Sequence, residues 1–281
     1  MTTIEAIVLG IVEGLTEFLP VSSTGHMILT QAALGVQETS FAKVFLVNIQ
    51  FGAILAVLLM YRRRFLQSLD LYKSLIIAFI PAAILGFALN DFIDSLLQSV
   101  PVVALMLILG GIVMICADKY FNHQHIIEPE VTHKSHSENA YVEVPKPFVP
   151  DTKQSFIIGL SQCFAMVPGV SRSAATIIGG LTQKMTFKQA AEYSFFLAVP
   201  TISAAAVYKT YKGFDSVRGS DIFSLLIGNV TSFIVAIIAI NFFLRVINKY
   251  GLRIFGYYRI IIGALILIGI YVLHLPLQIL K

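Results

Sequence analysis

Two apolar stretches of this chain are broken in the middle by polar and charged residues, and no other feature limits the fold as strongly. Region 4–34 carries Glu13, Glu17, Pro20 and a Ser22-Ser23-Thr24-Gly25 break. Region 155–181 carries Gln162, Pro168-Gly169 and Ser171-Arg172-Ser173. Around them lie six uninterrupted apolar segments: 44–61, 74–90, 100–117, 189–208, 222–244 and 255–275. A spanning helix needs ~20 apolar residues, so these six read as transmembrane helices. Each broken region is then a broken spanning helix or a re-entrant hairpin. The chain is 57% hydrophobic and only 13% charged, about half the charge of a soluble domain, so a polytopic membrane protein is expected.

The distribution of positive charge separates these alternatives. Cytoplasmic loops carry an excess of Lys and Arg. If both broken regions are re-entrant and Arg62-Arg63-Arg64 face the cytoplasm, 14 Lys/Arg between Arg62 and Arg259 lie inside. Five lie outside: Lys43, Lys209, Lys212, Arg218 and Lys281. If 155–181 spans, the split falls to 12 against 7. A re-entrant hairpin is therefore expected over 155–181, with Arg259 counted among the cytoplasmic charges and Arg172 as the one basic residue at membrane depth. The bias does not test 4–34, which has no Lys or Arg before it, and a hairpin is expected there too from the order the two halves share. The net charge of +4 fits this topology and is no sign of nucleic-acid binding. Residues 1–20 do not read as a signal peptide, because no basic segment precedes the apolar run and Glu5, Glu13 and Glu17 interrupt it. Cys116 and Cys163 read as buried free thiols, with no CxxC pair to suggest a metal site.

The two broken regions align with each other. Gly10-Ile-Val-Glu13 and Ser22-Ser23-Thr24 fall, 149 residues on, upon Gly159-Leu-Ser-Gln162 and Ser171-Arg172-Ser173. The expected organisation is a first repeat over 1–118 (hairpin 4–34, spans 44–61, 74–90 and 100–117), a polar cytoplasmic linker over 119–154, and a second repeat over 155–281 (hairpin 155–181, spans 189–208, 222–244 and 255–275). Three spans per half turn the second copy upside down. The fold class is thus an all-α membrane protein of two inverted-topology repeats, which place functional groups near the midplane. The linker histidines His123, His125, His133 and His136 read as a solvated loop rather than a metal site.

The chemistry gathers at the breaks. Glu13 and Glu17, four apart, share a helical face; together they suit a divalent cation, or one suits a general base. Ser23 and His26, three apart, can set a nucleophile beside an acid or base. Ser22, Ser23 and Thr24 and their counterparts Ser171 and Ser173 would begin the second arm of each hairpin, where free N–H groups favour an anion. A guanidinium at membrane depth costs ~2.5–3.5 kcal/mol on insertion scales. Arg172 therefore wants an anionic partner. Its planar fork suits phosphate oxygens, with an ion pair to Glu13 or Glu17 as the structural alternative. Asn48, Gln50, Glu192 and Ser194 are further candidates to line the crevice.

Glu13-Gly-Leu-Thr-Glu17-Phe-Leu-Pro20-Val-Ser22-Ser23-Thr24-Gly25-His26 and Pro168-Gly169-Val-Ser171-Arg172-Ser173-Ala-Ala-Thr176 resemble the two signature motifs of the bacterial undecaprenyl-diphosphatase family, of the bacitracin-resistance type. Segment order and motif position match over essentially the whole chain. One departure is Ala174, where the family more often has Gly. The resemblance implies a multi-pass bacterial inner-membrane hydrolase. It would convert undecaprenyl diphosphate to the monophosphate and recycle the carrier lipid for peptidoglycan. It further implies a site open to the outer face and a divalent cation (Mg or Ca) on Glu13 and Glu17. The catalytic roles would fall on Glu17, Ser23, His26 and Arg172, and substrate binding on Ser22, Thr24, Ser171, Ser173 and Thr176. The expected partners are undecaprenyl diphosphate and the lipid bilayer; a homodimer is allowed. Whether Ser23, His26 or water is the nucleophile stays open at this point.

Two other classes compete. Inverted repeats with broken helices also build transporters and flippases, in which the anion site would serve carriage of a polyprenyl phosphate or another anion. A second membrane lipid-phosphatase superfamily pairs Ser-Gly-His with Ser-Arg and a later His. Here Ile178 stands where that His belongs.

Overall fold

The structure, a computed structural model, describes residues 1–37, 39–89, 92, 93, 96, 99–122 and 148–273. Linker residues 123–147, with the four histidines, lie outside the described residues. Helices carry the fold, and among the described residues there is no β-strand.

Each broken region forms two short helices in contact with one another. The first gives α1 (Thr3–Thr16) and α2 (Ser23–Leu34), the second α7 (Thr152–Cys163) and α8 (Arg172–Thr182). At 11 to 14 residues and ~1.5 Å per residue, none of the four crosses a ~30 Å hydrocarbon layer alone. Reciprocal capping boxes start the leading arms: Thr2 with Glu5 for α1, Asp151 with Gln154 for α7. Such boxes satisfy two of the N–H groups that a helix start leaves free. They lie 149 residues apart, the offset that aligns the two broken regions.

Among the described residues six helices are long and apolar enough to cross a membrane: α3 (Ser40–Met60), α5 (Leu69–Ala88), α6 (Val100–Asn122), α9 (Phe187–Lys212), α10 (Ile222–Tyr250) and α11 (Arg253–Tyr271). Each overlaps one of the six apolar segments. A short basic helix, α4 (Arg62–Gln67), joins α3 to α5. The chain is an integral membrane protein.

Packing follows small residues. α1 runs along α10 and α7 along α5, while α3 meets α9 and α6 meets α11. Gly10 and Gly14 of α1 lie flush against the Gly228 and Ser232 carbonyls of α10. With lipid as apolar as the side chains, close backbone approach is what draws such helices together. The outer side of α10 shows Ile222, Leu226, Val230, Ile234, Ile238 and Phe242 at four-residue spacing, all exposed as a lipid-facing stripe should be. Both cysteines are free, but neither is buried as expected: Cys116 is exposed on an outward face of α6 and Cys163 is half-buried. An apolar segment in a bilayer has an outside too, so hydropathy alone did not separate the two faces.

A side chain at Gly10 must displace backbone, because its Cβ would lie 2.7 Å from the Gly228 carbonyl oxygen. Gly10→Leu is expected to cost about 1–3 kcal/mol or more by overpacking, read as a lower melting midpoint in detergent. Gly219→Ala, which meets nothing within 4 Å, should stay within about 0.5 kcal/mol.

Candidate active site

The two breaks meet. In the first, α1 ends after Glu17, and the chain passes Leu19, Pro20 and Val21 to Ser22 before α2 begins. In the second, a 3-10 turn over Phe164–Met166 leads through Pro168 and Gly169 to Ser171 before α8. Three non-glycine residues among those described have positive φ, and two of them are Ser22 (72°) and Ser171 (77°). They too lie 149 residues apart. Strain of this kind costs of order 1–3 kcal/mol per residue and clusters at functional sites. Ser171 caps α8 through Ala174 N–H as expected (3.3 Å). The Ser22 hydroxyl makes no such cap.

Arg172 joins the breaks from the second side. One guanidinium nitrogen donates to Glu17 Oε1 at 3.1 Å and another to the Ser194 carbonyl at 2.8 Å. Ser173 Oγ donates to the Leu19 carbonyl at 2.9 Å. Thr176 Oγ1 donates to Ser194 Oγ at 2.7 Å, which ties α8 to α9. From the first side, Ser23 Oγ donates to Glu17 Oε2 at 2.6 Å, a short charge-assisted hydrogen bond. Glu17 thus holds the Ser23 hydroxyl on one oxygen and Arg172 on the other.

Several buried polar atoms here have no protein partner: both carboxylate oxygens of Glu13, which is fully buried, and Arg172 Nε–H. Leaving a buried polar group unpaired costs about 1–3 kcal/mol, and such groups call for an explanation. Two free oxygens one helical turn from Glu17, and a free guanidinium donor nearby, are complementary to a cation and to a phosphate oxygen. Hard divalent cations take oxygen ligands, so Glu13 and Glu17 fit one. Among the described residues no three His, Cys, Asp or Glu side chains cluster.

His26 is turned elsewhere. Its Nδ1 lies 2.9 Å from the Ser22 carbonyl and its Nε2 lies 2.7 Å from the Tyr258 hydroxyl. The structure therefore pairs Ser23 with Glu17 rather than with His26. Thr24 lies half-buried beside them. Of the other crevice candidates, Ser194 belongs to the site. Asn48 accepts from Asn229, and Glu192 lines a separate cavity of about 320 Å³ with Arg64 and Lys188.

Sequence reasoning missed Arg259. Its guanidinium is fully buried, not placed with the cytoplasmic charges, and Arg172 is accordingly not the one basic residue at depth. Arg259 donates to the carbonyls of Pro20 in the first break (3.3 Å) and of Val170 (2.8 Å) and Gly169 in the second. It also reaches the Met106 and Leu107 carbonyls on α6 (3.1 and 3.3 Å). Gly110 makes room, since a Cβ there would collide with the guanidinium. The signal was available: Arg259 lies inside the apolar segment 255–275.

Comparison with known proteins agrees in length and order. The family model described as bacitracin resistance protein BacA matches residues 6–265. A Bdellovibrio bacteriovorus protein named undecaprenyl-diphosphatase is 47% identical over 274 residues, covering 98% of each chain. A protein of the same name from Flavobacterium johnsoniae is 45% identical over 282 residues, covering 99% of this chain and 100% of its own. One from Aquifex aeolicus is 44% identical over 264 residues, covering 94% and 96%.

Arg259→Lys keeps the charge but cannot reach five carbonyls. Each lost charged hydrogen bond is worth about 1.5–3 kcal/mol, and a chain of this size shifts by about 2–4 °C per kcal/mol. The melting midpoint in detergent is expected to fall by at least about 6 °C.

Proposed function

This chain belongs to the bacitracin resistance protein BacA family, and on that premise we propose that it hydrolyses undecaprenyl diphosphate to undecaprenyl phosphate and inorganic phosphate, recycling the carrier lipid for wall polymers. The observation that carries the proposal is the 2.6 Å hydrogen bond from Ser23 to a Glu17 carboxylate that Arg172 also holds. Carriage of an anion needs a binding site and no activated hydroxyl. An activated hydroxyl has a use only in hydrolysis, which favours it over the transporter reading.

The residues divide the work as follows. The terminal phosphate lies between the N-termini of α2 and α8, with its oxygens on free backbone N–H groups and on Arg172 Nε–H. Ser23 Oγ attacks the terminal phosphorus in line while its proton passes to Glu17 Oε2. The Oγ–P bond forms, the bridging P–O bond breaks, and undecaprenyl phosphate leaves. Water then attacks the phosphoseryl phosphorus. Its proton goes to His26, and the proton on Glu17 returns to Oγ as inorganic phosphate departs. Arg172 offsets the charge on the equatorial oxygens throughout, the usual main source of acceleration in phosphoryl transfer. Glu13 and Glu17 would hold a divalent cation, Mg or Ca, which when bound supplies further neutralisation of phosphate charge. Ser22, Thr24, Ser171, Ser173 and Thr176 shape and brace the anion site.

We also propose the inverted repeat and an outward-facing crevice in the inner membrane. Equivalent capping boxes, equivalent strained serines and the exchange of partners (α1 on α10, α7 on α5) support two copies of one plan. Seven of the eleven residues of α8 are buried, against three of the twelve of α2. The charge bias directs α2 outward, so the poorly covered arm marks the open side.

Ser23→Ala, Glu17→Gln and Arg172→Ala should each lower phosphate release from undecaprenyl diphosphate by about 10²–10⁴-fold, with folding intact by size-exclusion profile. A chelator should abolish release by the wild type, and added Mg or Ca should restore it. Full activity in Ser23→Ala would remove the serine from the scheme.

A further inference from the structure

His26 is the one catalytic candidate whose two ring nitrogens are both occupied by protein groups. Nδ1 faces the Ser22 carbonyl at 2.9 Å. A carbonyl only accepts, so Nδ1 carries the hydrogen and Nε2 presents its lone pair. The group that meets Nε2 is the Tyr258 hydroxyl at 2.7 Å, with the two rings within 7° of parallel. The phenol, which can donate or accept, donates to Nε2 in that tautomer. Without the phenol, only the Ser22 carbonyl would fix the ring, and a flip about its axis would cost less.

Tyr258 is well placed for such a task. It precedes Arg259, whose guanidinium grips the carbonyls of both breaks. The backbone that carries the phenol is therefore anchored to the backbone that carries Ser22, Ser23 and His26. Yet Tyr258 is itself 40% exposed, so its ring is not core filling. A half-exposed hydroxyl can release Nε2 when water or a phosphate oxygen arrives, which a buried one could not do without a cavity.

We propose that Tyr258 is a positioning residue for the phosphatase reaction: with the Ser22 carbonyl it holds His26 in the tautomer and direction that make Nε2 the nitrogen that takes the proton of the attacking water. The water displaces the phenol from Nε2, and the proton moves from water oxygen to Nε2 as the oxygen bonds to phosphorus. The phenol itself neither gains nor loses a proton. This rests on the hydrolytic reading above.

The test is a double-mutant cycle on phosphate release from undecaprenyl diphosphate, with kcat and KM measured for wild type, Tyr258→Phe, His26→Ala and the double variant. Tyr258→Phe keeps the ring and its packing. It is expected to lower kcat by about 10-fold, a fraction of the ~10²–10⁴-fold that a general base contributes, with KM within twofold. In the His26→Ala background it should have no further effect, because coupled residues are not additive. In ¹⁵N-histidine spectra, wild-type His26 should show an unprotonated Nε2, and Tyr258→Phe should show mixed tautomers. Wild-type kcat in Tyr258→Phe, an equal loss in both backgrounds, a rise in KM alone or an unchanged spectrum would each overturn the proposal. No release by the wild type would instead refute the hydrolytic reading itself.

Discussion

Everything at the site depends on how a chain can be broken twice at membrane depth without leaving its backbone unpaired. Inside a bilayer each unpaired carbonyl costs several kcal/mol, so irregular backbone survives only where protein satisfies it. Arg259 does this for both breaks at once, through the carbonyls of Pro20, Gly169 and Val170. Among the described residues no carboxylate pairs with it. Five donors in a rigid fork replace a counter-ion, a geometry that lysine cannot supply. The two α6 carbonyls it also holds, with Gly110 cleared of a side chain, make a socket between α6, α11 and the breaks.

Once the breaks are fastened, the chemistry follows from what remains unpaired around them. Ser22 and Ser171 sit in strained backbone at matching positions. Beyond each of them a helix begins, with N–H groups that its own turn leaves free. The orphaned oxygens of Glu13 and the orphaned Nε–H of Arg172 are of opposite character, and a diphosphate with a cation answers both. The proposed repeats differ in charge. At the 149-residue offset Arg172 falls on Ser23 and Gln162 on Glu13. In the proposed scheme one half carries the nucleophile and carboxylates and the other the positive charge.

Much of this was legible in the sequence because polar residues inside apolar runs are expensive and therefore rarely idle. Glu17, Ser23 and Arg172 declared themselves that way, and Glu17 proved to be the anionic partner that Arg172 needed. Helix spacing was a weaker guide. It put His26 beside Ser23 on one arm, but left-handed backbone at Ser22 and a tyrosine 232 residues away drew the imidazole to other partners. Arg259 escaped because its segment was long enough to be divided in thought between a loop and a span. Its partners are backbone carbonyls, which carry no residue identity and leave no trace in a sequence. The exposed Cys116 shows the same limit from outside, since the faces of an all-apolar helix differ only by what packs on them.

The most direct test of the central claim, a serine nucleophile held by Glu17 and Arg172, is the stereochemical course at phosphorus. A substrate with a chiral, isotopically labelled terminal thiophosphoryl group would be hydrolysed in labelled water. Transfer to Ser23 and then to water makes two in-line displacements, so the account predicts net retention of configuration. Net inversion would mean a single direct attack by water, and would contradict it.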